Sequence, residues 1–575
     1  MAHTYFKSKS QTKLHRNSML PRKRWKIINS DTNLSIVDVI LKNRLLPVDH
    51  MDSFKLTDRM HSPYLLQDMD KAVKRIIKAI DNNERIAVFG DYDVDGITST
   101  ALMVYFFRKV NYPVQYRLPN REKDGYGLRT ESVKLLHKEG IDLIITVDNG
   151  ITSNEAVDYA AQLGVDVVVT DHHLQEAELP NAQAVVNPNR VDSKYPFKNI
   201  CGAAVAFKLI YALSEQLMDV DEYKHFLLNH LDLVTLGTIA DVMPLVDENY
   251  AMVKFGLKVL SKTRKPGLMA LKKISGVKTA TITPITVGYF LAPRLNASGR
   301  MEEADHALEL LTAESHERAT EMARYLDSLN KKRQMLQADY VDYAMEQLPT
   351  NRNHIDKVIF VENDDWHAGL IGLISGKLKE RFYRPAFAFT KDEDGNFVGS
   401  ARSIDAFHVT NALTEFSHYF INYGGHHKAA GLTIAQQNYD KFREEFTYYV
   451  NEHINDDDLV PELVIDSIVD IDQINLNTAR MLQEVGPFGE ANEEPVLMMD
   501  NGRIHEIIEL SGGRHLKLYI QKGNQMFECL WWNSGEHKNL IHFGDQIDLA
   551  FKLNINMWQG TERLQLTIED IKDHN

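Results

Sequence analysis

Residues 85–89 are a short apolar run with β-branched members, and GDYDVDG (90–96) then brings Asp91, Asp93 and Asp95 together within five positions. The following TSTALMVYFFRKV is apolar at helical spacing. This order predicts a buried strand, a turn carrying three carboxylates at its carboxyl end, and a helix. Open α/β sheets hold their ligands at that place. Carboxylates this close repel one another unless a cation lies between them. An ordinary acidic turn with helix-capping aspartates gives the same local pattern, so the turn alone leaves both readings open. A calcium loop of the EF-hand kind fits poorly, because a strand precedes it and Leu102 stands where the twelfth-position glutamate belongs.

The pattern recurs. IDLIITVDNG (141–150) is a second apolar strand ending in Asp148, and VDVVVTDHH (165–173) is a third, ending in Asp171, His172 and His173. AQAVVNP (182–188) predicts a fourth. Helical segments at 67–80, 97–109, 130–139 and 153–163 fall around these strands, and 111–128 reads as a linker. Strands alternating with helices predict a parallel, doubly wound sheet. Helical sequence runs from about 202 to 263, and LVTLGTIADVMPL within it places Asp241 after an apolar helical run. Residues 318–348 lack Gly and Pro and predict one long helix spacing two lobes.

A second α/β unit follows, with a strand at 358–363, a helix at 367–382, strands in RPAFAFTKD and NFVGSARS, and a Gly-rich turn, NYGGHHKAAG, leading to another strand. From about 460 the chain reads as all-β, with strands at 516–520, 526–532, 546–558 and 563–568 that predict a small barrel. The expected fold is α/β in two lobes joined by a long helix, with a C-terminal all-β barrel. The expected divisions are an N-terminal basic segment (1–66), a first lobe (67–315), a connecting helix (316–350), a second lobe (351–455) and the barrel (456–575).

Composition removes several classes. Cys201 and Cys529 are the two cysteines, which excludes a disulfide framework and a Cys-rich zinc site and suits a reducing cytoplasm. No apolar run is long enough to span a membrane, so none is expected as a partner. A net charge of −15 means that any nucleic-acid binding needs a local basic channel. The basic start, 7–26, reads as a solvated tail in preference to a nucleic-acid arm.

Asp91, Asp93, Asp148, His172 and Asp241 form a carboxylate-plus-imidazole set without thiolates, which suits Mn²⁺ or Mg²⁺ better than structural zinc. Shared carboxylates can hold two such ions about 3.5–4 Å apart, an arrangement that hydrolyses phosphoryl esters. Side chains of neighbouring residues diverge, so one of His172 and His173 can ligate while the other faces substrate.

Taken in order over about 85–435, GDYDVDG, TVDNG (146–150), TDHH (170–173), LGTIADVMPL (236–245), RLNASGR (294–300), GSARS (399–403) and GGHHKAAG (424–431) resemble the DHH superfamily of phosphoesterases, in particular its single-strand-specific exonucleases. The resemblance implies that Asp91, Asp93 and Asp148 hold one ion and that Asp93, Asp148, His172 and Asp241 hold the other, with Asp148 bridging. It assigns His173 to the scissile phosphate, Asp171 to orienting its loop, and Arg294 and Arg300 to the nucleic-acid backbone. Arg121 matches an arginine of a 5′-end pocket. The second lobe resembles the DHH-associated domain, whose Ser400, Arg402 and His426 would hold substrate phosphates while Gly424 and Gly425 let the backbone approach. The barrel sits where these exonucleases carry an oligonucleotide-binding (OB) fold, and there Phe527, Trp531, Trp532 and Trp558 are candidates for base stacking, with Arg514, Lys517 and Lys522 as local positive charge. The resemblance also implies 5′→3′ polarity, a place in DNA repair and recombination, and partnership with a single-strand binding protein and a helicase. A monomer is expected.

Some relatives carry a histidine two residues before the first aspartate; Phe89 stands there in this chain. Two other functions stay open on sequence: a DHH phosphodiesterase of short oligonucleotides or cyclic dinucleotides, and a non-catalytic replication scaffold. A pyrophosphatase on the same first lobe is a third. The terminal β module argues against the first, and the complete aspartate set argues against the second.

Overall fold

The structure is a computed structural model that describes residues 23–31, 35–44, 54–120, 125, 127–175, 178–277, 282–349, 354–558 and 560–574. Contacts divide the chain into two compact units. One comprises residues 52–335 with 486–493; the other comprises 336–485 and 494–575 with the chain before residue 52.

The first unit is built on a five-stranded parallel sheet in the order Val114–Arg117, Ile86–Phe89, Leu143–Val147, Asp166–Thr170, Ala184–Val186. Its side chains alternate between two cores. Ile86 and Val88 pack with the helices Val94–Lys109 and Gly202–Leu217, while Ala87 and Phe89 pack with Thr130–Lys138 and Asn154–Gln162. Strands buried on both faces read as unbroken apolar runs, which is why they are legible in sequence. The strand order reverses between Ile86–Phe89 and Leu143–Val147, and a crevice opens at the carboxyl ends of strands at such a reversal.

Two expectations need correction in this unit. Val114–Arg117 lies within the predicted linker but is an edge strand; with Gln115 and Tyr116 exposed, it lacks the apolar run of its neighbours. The helix predicted at 97–109 begins at Val94, because the Asp93 carboxylate caps it by accepting from the Asp95 and Gly96 amides at 2.9 and 3.1 Å.

Behind the sheet, Lys208 is fully buried and pairs with the buried Glu248 at 2.6 Å. Its ammonium also donates to the His61 carbonyl, and Tyr195 Oη donates to the second Glu248 oxygen at 2.5 Å. Removing one member of such a pair leaves an uncompensated buried charge. Lys208→Met is expected to lower unfolding free energy by about 3–5 kcal/mol, read as a fall in the urea midpoint.

The helix His316–Glu346 spans 31 residues, in agreement with the predicted spacer. The second unit contains a five-stranded sheet ordered Phe420–His426, Ala429–Ile434, Phe397–Arg402, Ala386–Lys391, Ile359–Glu362. Phe360, Phe387 and Phe389 stack on one of its faces against Phe442 and Phe446 of the helix Gln436–His453. The predicted Gly-rich turn is mostly strand: Gly424 and Gly425 pair with Gly431 and Ala430, and the turn itself is His427-Lys428.

The remaining strands close a barrel. Leu497–Leu510 pairs with His515–Lys522, that with Gln525–Trp531, that in parallel with Thr561–Asp573, that with Gln546–Trp558, and that back to Leu497–Leu510. This is the five-stranded Greek-key closure of an OB fold. The first and longest barrel strand is absent from the sequence reading, because register shifts at Met499/Gly502 and Ile504/Glu506 break its alternation. The basic start is also corrected in part. Arg24–Asn29 is a strand pairing in parallel with Glu462–Ile468, and Trp25 Nε1 donates to Asp570 at 2.7 Å, so this part of the tail is stitched into the sheet.

Candidate metal centre

The site is assembled at the strand reversal. Gly90 and Gly96 set the first loop; a Cβ at Gly96 would lie 2.5 Å from the backbone of Asp91, so the helix can close over that aspartate only without a side chain there. Asp148 follows its strand with φ +62°, a left-handed conformation that Asp and Asn tolerate better than most residues. Asn149 holds this turn by donating to the carbonyls of Val147 and Phe89. Asp241 ends the helix Val220–Ala240, and Val242 after it adopts φ +55°. That conformation is rare for a β-branched residue and marks strain next to a functional group.

These turns bring the predicted ligands together. Ligand atoms of Asp91, Asp93 and Asp148 lie within 4.8 Å of one another, as do those of Asp148, His172 and His173, and those of Asp95, His172 and Asp241. Asp148 and His172 join the groups. His172 Nε2 is 3.1 Å from Asp148 Oδ1 and 3.7 Å from Asp241 Oδ2. Asp91 and Asp148 are buried, and the oxygens Asp148 Oδ1 and Asp241 Oδ2 accept no hydrogen bond among the described residues.

Burial, followed by the charges of Asp95, Asp93, Asp91 and Asp241, pushes the Asp148 carboxyl well above its ordinary range. Burial and then Asp95 and Asp93 push Asp241 up to about 9. Burial and Asp95 raise Asp93 as well. Burial lowers His172, keeping it a neutral donor. Buried, mutually repelling carboxylates beside a neutral imidazole form a donor set that fits hard divalent cations.

His173 behaves differently. Burial opposes its protonation, but the 2.7 Å contact between its Nδ1 and Asp171 outweighs this and lifts it to about 9. Asp171 also accepts from the His172, His173 and Ile151 amides. It therefore shapes the loop with both oxygens and presents a cationic His173 beside the cluster. Phe89, in the histidine position of some relatives, is wholly buried in the sheet core.

Two residues that carry no role in the sequence reading support the site. Asp95 accepts from the Gly202 and Ala203 amides at 2.6 and 2.9 Å, so it ties the start of one helix to the metal loop. Its signal is indirect: Gly202 and Gly237 leave room where a Cβ would strike Asp148 and Asp95, each at 2.5 Å. Asn296 Oδ1 accepts from the Val94 amide, and Gly299 passes so close to Tyr92 that a Cβ would lie 2.2 Å from its carbonyl oxygen. RLNASGR thus braces the aspartate loop. Asp95→Ala is expected to cost about 10–100-fold in metal affinity or rate, read by Mn²⁺ titration of activity.

Arg294 pairs with Asp327 at 2.9 Å and donates to the Phe290 carbonyl. Arg300 lies in the last turn of the helix Ala292–Met301. Arg121 lies outside the described residues. In the second unit, Ser400, Gly431 and Gly424 form one cross-strand row, and Arg402, Ala429 and His426 form the next on the same face. A Cβ at Gly424 or Gly431 would meet nothing, so this face has an open floor edged by Ser400, Arg402 and His426. Gly425 faces the other way, with φ +151° and Ala429 O 2.3 Å from its would-be Cβ; its role is to permit the backbone. His427 stacks on His408, and Lys428 pairs with Asp405. In the barrel, Phe527 and Trp531 are core, while Trp532 is half exposed. Lys517 and Lys522 are paired with Glu528 and Asp500, which neutralises two of the three cations expected there, while Arg514 donates to the neutral Asn533 side chain. The Trp558 side chain lies outside the described residues.

The fold and this cluster define a phosphoesterase of the DHH class, and the chain matches the DHH family N-terminal domain over residues 85–238, the DHHA1 domain over 356–452 and the RecJ OB domain over 465–570. The single-stranded-DNA-specific exonuclease RecJ of Dickeya dadantii is 36% identical over 88% of this chain and 91% of its own length. That of Escherichia coli is 34% identical over 88% and 90%. That of Bacillus subtilis is 35% identical over 89% of this chain, which spans 64% of that longer relative. The crystal structure of Thermus thermophilus RecJ with Mn²⁺ superposes with a TM-score of 0.82 at 27% identity, covering 96% of this chain and 80% of that one. The chain belongs to the RecJ family of single-stranded-DNA-specific exonucleases.

Proposed function

We propose that this chain is a 5′→3′ exonuclease that hydrolyses phosphodiester bonds of single-stranded DNA with two Mn²⁺ or Mg²⁺ ions, in DNA repair and recombination. The convergence of Asp91, Asp93, Asp148, His172 and Asp241 in overlapping groups, with Asp91, Asp148 and His172 buried and Asp93 and Asp241 half-buried, supports it. Asp91, Asp93 and Asp148 would hold one ion, and Asp93, Asp148, His172 and Asp241 the other. Bound there, the ions would supply Lewis-acid activation of water and of the phosphoryl group. The cationic His173, held by Asp171, donates to a non-bridging oxygen of the scissile phosphate and steadies charge that grows during displacement. Asp95 and Asn296 keep the aspartate loop from relaxing outward. Ser400, Arg402 and His426 grip phosphates of the strand, Arg300 and Arg294 approach its backbone, and Arg121 receives the 5′ end.

In domain terms, 67–315 supplies the chemistry, 316–350 the connection, 351–455 the phosphate grips and 456–575 the strand-binding barrel. The protein would act as a cytoplasmic monomer alongside a single-strand binding protein and a helicase. Among the described residues no helix is long and apolar enough to cross a membrane.

The decisive assay is digestion of 5′-phosphorylated single-stranded DNA with and without Mn²⁺, beside duplex and a blocked 5′ end. Degradation of duplex at equal rate, or release of nucleotides from the 3′ end, overturns the proposal. A second measurement separates the two adjacent tryptophans. Loss of one stacked base costs about 1–3 kcal/mol, so Trp532→Ala is expected to weaken binding of a long single strand by about tenfold without changing thermal stability. Trp531→Ala, a core truncation, is expected to lower stability instead.

A further inference from the structure

We infer that a basic, apolar-walled cavity at the far end of the catalytic unit binds an acidic peptide segment carrying an aliphatic side chain. The cavity holds about 1100 Å³. It lies between the end of the helix Val94–Lys109, the early turns of Val220–Ala240, and the segment that leaves the helix Asp247–Lys262. Val94–Lys109 starts at the metal cluster and Val220–Ala240 ends on it. At 1.5 Å per residue the cavity is roughly 18–24 Å from the metal site along either helix, so it is a separate place.

The chemistry of its lining selects the ligand. Arg108, Lys109 and Lys265 are engaged by Glu314, Glu222 and Asp232. Lys258, Lys262 and Arg264 also line it and have no acidic partner among the described residues. Helix C-termini attract a cation or two, but Arg264 lies beyond the helix end and Lys258 a full turn before it. Three unmatched cations on one rim of a chain with net charge −15 form a local reversal of sign. The inner wall is apolar, with Leu228 41% exposed and Val259 and Pro266 beside it.

A nucleic-acid strand would need free aromatic faces for its bases, and the Phe and Tyr rings of this lining are committed, which leaves only the exposed imidazole of His225 among the described lining residues. Phe226 is buried, the Tyr105 hydroxyl donates to the Leu311 carbonyl, and Phe255 is covered by Phe54 and the Lys258 ammonium. Carboxylates for the rim and one aliphatic group for the wall satisfy both parts of the lining.

The test is fluorescence anisotropy with a fluorescein-labelled peptide, Gly-Asp-Glu-Asp-Glu-Asp-Leu, titrated with the full chain. Saturable binding is expected, weakened at least tenfold in a K258E/K262E/R264E variant and at least threefold in Leu228→Ser, which keeps every charge. Hydrolysis of a short 5′-phosphorylated strand is expected to be unchanged in both variants. Equal peptide affinity in wild type and the triple variant overturns the assignment. So does equal affinity for a peptide with Ser in place of Leu, which would mean charge attraction alone. Loss of affinity for a twelve-residue oligothymidylate in the triple variant, with none for the peptide, would make the cavity a nucleic-acid surface and overturn it too.

Discussion

Asp148→Asn is expected to lower the rate of Mn²⁺-dependent nucleotide release by about a thousandfold or more, while raising the melting temperature of the chelated protein. The two effects have one cause. Asp148 is shared by the group with Asp91 and Asp93 and the group with His172 and His173, so its charge serves both halves of the site. Removing several kcal/mol of transition-state charge stabilisation corresponds to about a thousandfold at 1.36 kcal/mol per factor of ten. Without a cation that same charge is buried among four other carboxylates that repel it. Asn is the informative replacement because it tolerates φ +62°, whereas Ala would add backbone strain. A variant with a rate within threefold of wild type, or one that is less stable in chelator, would show that Asp148 is not a metal-site charge.

Chelated protein is expected to lose stability as pH rises from about 5 to 9, and saturating Mn²⁺ is expected to flatten that slope. The sign follows from linkage. Asp241 titrates at about 9 in the folded protein and near 3.9 when unfolded. Between those values the folded state binds more protons than the unfolded one, so unfolding free energy falls with pH, by up to about 1.4 kcal/mol per unit for one such group. Asp148, raised for the same reasons, adds to the slope. His173 runs the opposite way in charge but gives the same direction: its folded value of about 9 contributes stability at low pH that is lost as pH climbs through it. At about a hundred times its Kd, a cation bound only by the folded state adds about 2.7 kcal/mol. Melting temperatures in chelator and in Mn²⁺ at pH 6, 7 and 8.5 check this. A chelated protein whose stability rises over that range contradicts the carboxylate cluster.

Much of the organisation was legible because its signals are local. Parallel strands buried on both sides have to be unbroken apolar runs, so Ile86–Phe89, Leu143–Val147 and Asp166–Thr170 declare themselves, and the acids after them mark the strand ends. Elements with one wet face did not. The edge strand Val114–Arg117 was lost in a linker, and Leu497–Leu510 was lost because its bulges break the alternation. The residue types that hold phosphate were readable, but their faces were not: Gly424 opens a floor while Gly425, next to it, faces away to serve the backbone.

Sequence by itself determined the chemical inventory: which strands end in carboxylates, that no thiolate competes for a cation, and that a β module follows two α/β lobes. Tertiary structure alone decided which of these groups meet. Asp95 looks like its neighbours Asp91 and Asp93 along the chain, yet its oxygens are taken by the amides of Gly202 and Ala203, more than a hundred residues on. Trp531 and Trp532 are identical in type and adjacent, and only closure of the barrel buries one and exposes the other. Local pattern records a residue's chemistry and period. Whether that chemistry is free to act depends on partners from distant parts of the chain, and those are set only when the elements pack.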